Sequence, residues 1–406
     1  MRKFAFVNKD LEQGDSSSNL LSEDVPEAPL YPMKKQNGKK ITNVIIGIFF
    51  LSAILFTAWV IFSGNSKKVL LSPFSKTGVI PSNPENIKVP ADLTGVLYSA
   101  SEAAVINGQR PLSVMVNNHV DARPQSGLIY ADIVYEVVAE GGITRYLAFF
   151  QSNTPEKIGP VRSIREYYLM IVKELGDAMV MHIGYSPQAL LAIDTWPARS
   201  LFRGGCESVP GCEWRSNPRN VAYEHTAFVN GLILRQLATN LGWEGVGPVT
   251  LWKFKDDTTK YASKPAATNL TIDFWEKGDY SGIFKYDPQT NTYLRFTGYD
   301  SSGNPIPVMD QEQTTQQVAV SNVIVQFAVE SSIAEDVKGR LGYQLIGSGK
   351  AIVFLDGKVI DATWSKADRD SRTIFYDTDG NEIQFNKGKF WVSIVPDRNV
   401  AQVVYN

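Results

Sequence analysis

Apolar positions change period several times along the chain, and each change marks an element. LSVMVNN, from Leu112, is a short apolar run bounded by polar residues and predicts a buried strand. DIVYEVVAE and ITRYLAFFQS are β-rich runs separated by Gly141-Gly142, which predicts a hairpin with a two-residue primed turn. That turn would set Val138 opposite Arg145 and Glu136 opposite Leu147, with Arg145 lying diagonally between Glu136 and Glu140. Gly159-Pro160 opens VRSIREYYLMIVKELGD, a helix by its apolar spacing at Ile164, Tyr168, Ile171 and Leu175. AMVMHIGYS predicts a strand, Pro187 starts a helix with Ser186 as its N-cap, and HTAFVNGLILRQLATNLGW predicts a further amphipathic helix. Beyond Gly247 the texture is short strands punctuated by Asp-Gly and Asn-Thr turns. The expected architecture is therefore a mixed α/β ectodomain over 91–247 and a mainly-β domain over 248–406.

The N-terminal region has a different pattern. Residues 1–40 alternate acidic residues with Ser, Pro and Gly and predict a disordered tail. Ile41–Ser63 carries no charge, and as a helix it would be roughly 34 Å long, enough to cross a hydrocarbon core of about 30 Å. It is too long and too deep in the chain for a signal peptide, and no cysteine follows it to take a lipid. Lys34, Lys35, Lys39 and Lys40 precede it, which predicts a single-pass helix with a cytoplasmic N-terminus and the bulk of the chain extracytoplasmic. Residues 64–90 read as a stalk. In that oxidising compartment Cys206 and Cys212, with the Pro210-Gly211 turn between them, predict a disulfide.

Composition narrows the function classes. A net charge of −2 implies no general affinity for nucleic acid. Two cysteines exclude a thiolate zinc site with four ligands. His119, His182 and His225 are the three histidines and could meet Glu136 or Glu140 at a metal, but no tight ligand spacing holds two of them on one element, so neither metal nor other cofactor is assigned. Gly184-Tyr185-Ser186-Pro187-Gln188 stands where a nucleophile elbow would, yet Pro187 removes the backbone N–H that would serve an oxyanion, and helix capping by Ser186 is the better account. Glu136 and Glu140 make a poor glycosidase pair, because Arg145 between them would hold both ionised. Arg162 and Arg165, three apart at a helix start, could join Arg123 in an anion clamp. Asn118, His119, Arg123 and Gln125 crowd one polar loop, which is either one wall of a site or architecture.

NNHVDARPQSGL, ADIVYEVVAEGGITR, KIGPVRSIREY and HIGYSPQA together resemble the YerB-type family of Gram-positive envelope lipoproteins, paired domains of unknown function. The resemblance continues through YDPQTNTYLR, SNVIV, ATWSK and GKFWVSIVP, covering roughly residues 90–400 in the same order. It implies an extracytoplasmic protein and no established reaction. Members carry a lipobox cysteine, whereas here the apolar segment would anchor the chain. A histidine is expected near Pro307-Val308-Met309-Asp310, where Val308 stands. Two functions follow as expectations: a binding module recognising an anionic or glycan-like wall component or an envelope protein partner, and, as the alternative, an envelope hydrolase using the histidines.

Overall fold

The computed structural model describes residues 87–406, with 248, 257–259, 262 and 335 excepted. The tail, the apolar segment 41–63 and most of the stalk lie outside the described residues. Among the described residues no helix is long and apolar enough to cross a membrane.

In the first half the strands are β1 (Leu112–Asn117), β2 (Ile133–Val138), β3 (Thr144–Phe150), β4 (Met179–Met181) and β5 (Arg199–Ser200). The second half supplies β6 (Asn322–Ala328), β7 (Glu330–Ser332), β8 (Leu341–Tyr343), β9 (Gly347–Leu355), β10 (Lys358–Lys366), β11 (Ile374–Asp377) and β12 (Phe390–Pro396). Ten of these form one sheet in the order β11-β10-β9-β6-β12-β2-β3-β1-β4-β5. β12 and β2 join the two halves by parallel pairing, from Phe390 opposite Ile133 to Ile394 opposite Val137. β1, β2, β3, β6 and β12 are buried along their whole lengths. Both faces of the sheet centre are thus covered, which explains near-continuous apolar runs such as LSVMV and FWVSIV. A second sheet built on Gly282–Asp287 and Thr292–Tyr299, and the separate two-stranded ribbon β7–β8, complete the part of the fold that matters here. The helices among the described residues are α1 (Ala100–Gly108), α2 (Glu166–Glu174), α3 (Pro187–Thr195) and α4 (Gly231–Asn240).

Two details of the predicted local structure are corrected. The hairpin closes through Ala139 N–H to Ile143 C=O at 2.8 Å, so its loop is the three residues Glu140, Gly141 and Gly142, the glycines at φ +68 and +75. The register becomes Val137 opposite Arg145 and Glu136 opposite Tyr146. One residue of slip moves Arg145 to the opposite face from Glu136. The helix predicted from Gly159-Pro160 begins only at Glu166. Ile158, Val161 and Ile164 are buried by bridging Val229, Val116 and Tyr185 in extended chain, so their spacing of three reflects strand-like contacts. Arg162 consequently lies in extended backbone, and Arg165 is the N-cap of α2.

Candidate functional site

The loop between β1 and β2 turns most of its polar side chains inward. Asn118 donates its amide to Thr144 Oγ1 at 2.8 Å, and Gln125 donates to Asn117 C=O at 3.1 Å and Asn118 Oδ1 at 3.2 Å. Arg123 is spent on Asn118 and, at 2.8 Å, on the carbonyl of Asp279. The segment after Pro307 grips the same loop. Asp310 accepts from Gly127 N–H at 2.7 Å, and Gln311 N–H donates to Gln125 C=O at 2.8 Å. Val308, where a histidine was expected, is buried beside them. Below the loop, Thr144 donates to Glu136 Oε1 at 2.9 Å, while Glu136 Oε2 accepts from Arg295 at 2.8 Å and Trp391 Nε1 at 2.9 Å. This arrangement positions loop and hairpin. It leaves Asn118, Arg123, Gln125 and Glu136 engaged with the protein itself.

Two of the three histidines meet. The His119 and His225 rings stack with centroids 4.3 Å apart and planes 9° from parallel. With Asp121 they offer ligand atoms within 4.8 Å of one another. Parallel stacked rings direct their in-plane lone pairs side by side, so holding a single ion would require one ring to turn. Asn117 resists that turn in His225 by donating to Nδ1 at 2.8 Å. Burial, the adjacent His119 and Arg162 all push the His225 imidazole below its ordinary value. His182 is elsewhere and fully buried, its Nδ1–H on Gly184 C=O at 2.9 Å and its Nε2 on Ser200 Oγ at 2.8 Å.

In the hairpin loop, Glu140 takes both Arg145, at 2.9 Å, and Arg165, which grips both carboxylate oxygens. Burial pushes the Glu140 carboxyl up, but the two guanidiniums more than offset it and hold it below the ordinary glutamate value. Arg165 also donates to Ile164 C=O at 2.9 Å. Arg162 is half-buried, and its side chain has no hydrogen-bond partner among the described residues. The three arginines therefore do not close as one clamp. Ser186 caps α3 by accepting from Ala189 N–H at 3.1 Å.

Arg165 and Ser186 do, however, flank a groove of about 420 Å³. One wall is the start of α2 and α3, with Glu166, Tyr167 and Gln188, and the other is the ribbon β7–β8, with Ser331, Tyr343 and Gln344. Tyr167 and Tyr343 meet edge to face at its base, centroids 4.9 Å apart. Two polar groups in this groove are unspent. Burial raises the Glu166 carboxyl, which has no ion-pair partner among the described residues, and Gln188 Oε1 is buried with no hydrogen bond. A smaller cavity of about 130 Å³, with Leu191 and Trp196, opens from the same two residues. Gln188 stood in the sequence only as the last residue of an incomplete nucleophile elbow. The ribbon wall had no signal, because it reaches the helices across more than 130 residues of chain.

Residues 93–244 match the N-terminal domain, and residues 270–392 the C-terminal domain, of the family described as "Protein of unknown function (DUF3048)". "Putative lipoprotein YerB" of Bacillus subtilis (strain 168) is 30% identical over 335 residues, covering 82% of this chain and 94% of that protein. The chain belongs to the DUF3048 family, the YerB type. The crystal structure of YerB protein from Bacillus subtilis covers 79% of this chain and all of its own, with a TM-score of 0.65 and 30% identity. The DUF3048 pairing of an N- and a C-terminal domain is carried here by the shared sheet through β2 and β12. The Cys206–Cys212 disulfide is present, with Cα atoms 5.5 Å apart.

Proposed function

We propose that this DUF3048 chain is an envelope-tethered extracytoplasmic binding module whose ligand, a component of the cell wall, occupies the groove between α2, α3 and the β7–β8 ribbon. The groove itself carries the reading: it is preformed, is framed by rigid elements, and contains polar groups that nothing in the fold uses. Ser186, at its rim, caps α3.

Residues 41–63 would anchor the protein, in place of the lipid that the name of the Bacillus relative suggests for that protein. Deleting 41–63 should move the chain from the membrane fraction to the soluble fraction. Retention in the membrane after the deletion would refute the anchor.

Binding is tested with the full-length protein in detergent micelles and purified bacterial cell wall as the retained phase. Gln188→Ala combined with Gln344→Ala should weaken retention about tenfold, the scale of one or two lost hydrogen bonds. Both side chains are at least partly exposed and support no other element, so the thermal midpoint should stay put. Arg165→Ala would be a poor test, since it strips Glu140 of a partner and disturbs the hairpin. Failure of the parent to be retained would overturn the proposal.

A further inference from the structure

Among the described residues β8 is paired along one edge only. Its register sets Glu330 opposite Tyr343, Ser331 opposite Gly342 and Ser332 opposite Leu341. Gln344 N–H donates to Val329 C=O at 3.0 Å and Ile333 N–H to Arg340 C=O at 3.2 Å. In an antiparallel ladder this alternation makes Ser331 and Gly342 a hydrogen-bonded pair and turns the N–H and C=O of Leu341 and Tyr343 away from β7. Those four groups have no partner among the described residues. Leu341 and Tyr343 are 7% and 6% exposed, a setting in which backbone polar groups are almost always paired.

The groove lies against these groups. Leu341, Gly342, Tyr343 and Gln344 line it consecutively, with Ser331 and Ile333 beside them, so it meets both the open edge of β8 and one face of the ribbon. Leu341 and Tyr343 are about 7 Å apart along the strand, so three residues of an extended chain could satisfy both. Opposite them stands Glu166, a carboxylate with no ion-pair partner among the described residues, at the junction of the two cavities. Its neighbour Arg165 is already occupied by Glu140, so an entering cation would meet a free anion.

Resting on the reading of this groove as a binding site, we infer that its occupant is a short extended peptide that adds to β8 as a third strand and brings an amino group to Glu166. Main-chain pairing would supply affinity, as in other strand additions. The apolar side cavity at Leu191 and Trp196 would receive one of its side chains.

The probes are the two fractions an amidase releases from purified cell wall: glycan strands free of peptide, and the stem peptides. Each competes for the full-length protein, in detergent micelles, against intact wall. The peptide fraction should compete while the glycan fraction should not, and hydrogen exchange at the Leu341 and Tyr343 amides should slow at least about tenfold when peptide is bound. Glu166→Gln should weaken peptide competition about tenfold. Competition by glycan strands alone would overturn the strand addition and leave the groove standing as a wall-binding site. Peptide competition with unchanged exchange at both amides would also overturn it. Absence of retention on intact wall would remove both readings.

Discussion

Glu136→Ala should lower the unfolding free energy by about 3–5 kcal/mol, the range for removing one partner from a buried ion pair. Glu136 and Arg295 are both 0% exposed and meet at 2.8 Å. Without the carboxylate, the Arg295 guanidinium keeps only the Phe296 carbonyl and the ring faces of Phe284 and Trp391, at 4.8 and 4.7 Å. Its Nε already lacks a partner, so a buried cation would stand largely uncompensated. Trp391 Nε1 and Thr144 Oγ1 would lose an acceptor in the same step. Arg295→Met should be comparably damaging, whereas Glu136→Met combined with Arg295→Met should cost much less than the sum, because no charge is then left buried. Urea unfolding at constant m-value measures all three. A Glu136→Ala loss below about 1 kcal/mol would mean that water reaches the pair and that it does not hold the two halves together.

The same pair illustrates what the sequence could and could not reveal. Residue types around the polar loop announced a constellation, and the strand LSVMV was evident from its uniform apolarity. The destinations of the polar groups were not, because their partners are remote: Asp310 for Gly127, Arg295 for Glu136, Asp279 for Arg123. Two adjacent glycines suggested a two-residue turn, and closure at Ala139 and Ile143 made it three. That single residue decides which carboxylate Arg145 meets, since side chains alternate faces along a strand.

Arg162 and Arg165 show a different limit. Of the apolar positions that predicted one helix, Tyr168 and Ile171 lie in α2, whereas Ile164 is buried against the extended chain at Tyr185. Periodicity cannot separate those cases without knowing the neighbours. Local signals fared better: Ser186 caps α3, and the Pro210-Gly211 turn lies between the two bridged cysteines. The groove combines both situations. Its helix wall lies within one legible stretch, while its strand wall is supplied by a ribbon whose relation to α2 exists only in three dimensions.

Acid should destabilise the protein through His182 before most of its carboxylates titrate. Burial pushes this imidazole from 6.5 down to about 4, against a smaller opposing pull from the Gly184 carbonyl. The unfolded chain therefore takes up a proton near pH 6.5 that the folded chain refuses until about pH 4. Because the unfolded state binds more protons in that window, stability falls as pH falls. The loss from this one group is about 2 kcal/mol by about pH 5, since each pKa unit of difference is worth about 1.4 kcal/mol. His225 is depressed as well and acts in the same direction, first by burial and then by the charges of His119 and Arg162, with Glu224 and Asp121 opposing. Glu140 acts in a separate and lower window, because its carboxyl is held below 4.5 by Arg165 and Arg145 despite burial. Comparing the parent with His182→Gln isolates the effect. The variant should be the less stable protein near neutrality, having lost the ring packed between Tyr185 and Phe202, and the gap should close by about 2 kcal/mol on acidification. Parallel pH profiles for the two proteins would show that His182 protonates freely in the folded state, and that the site admits water.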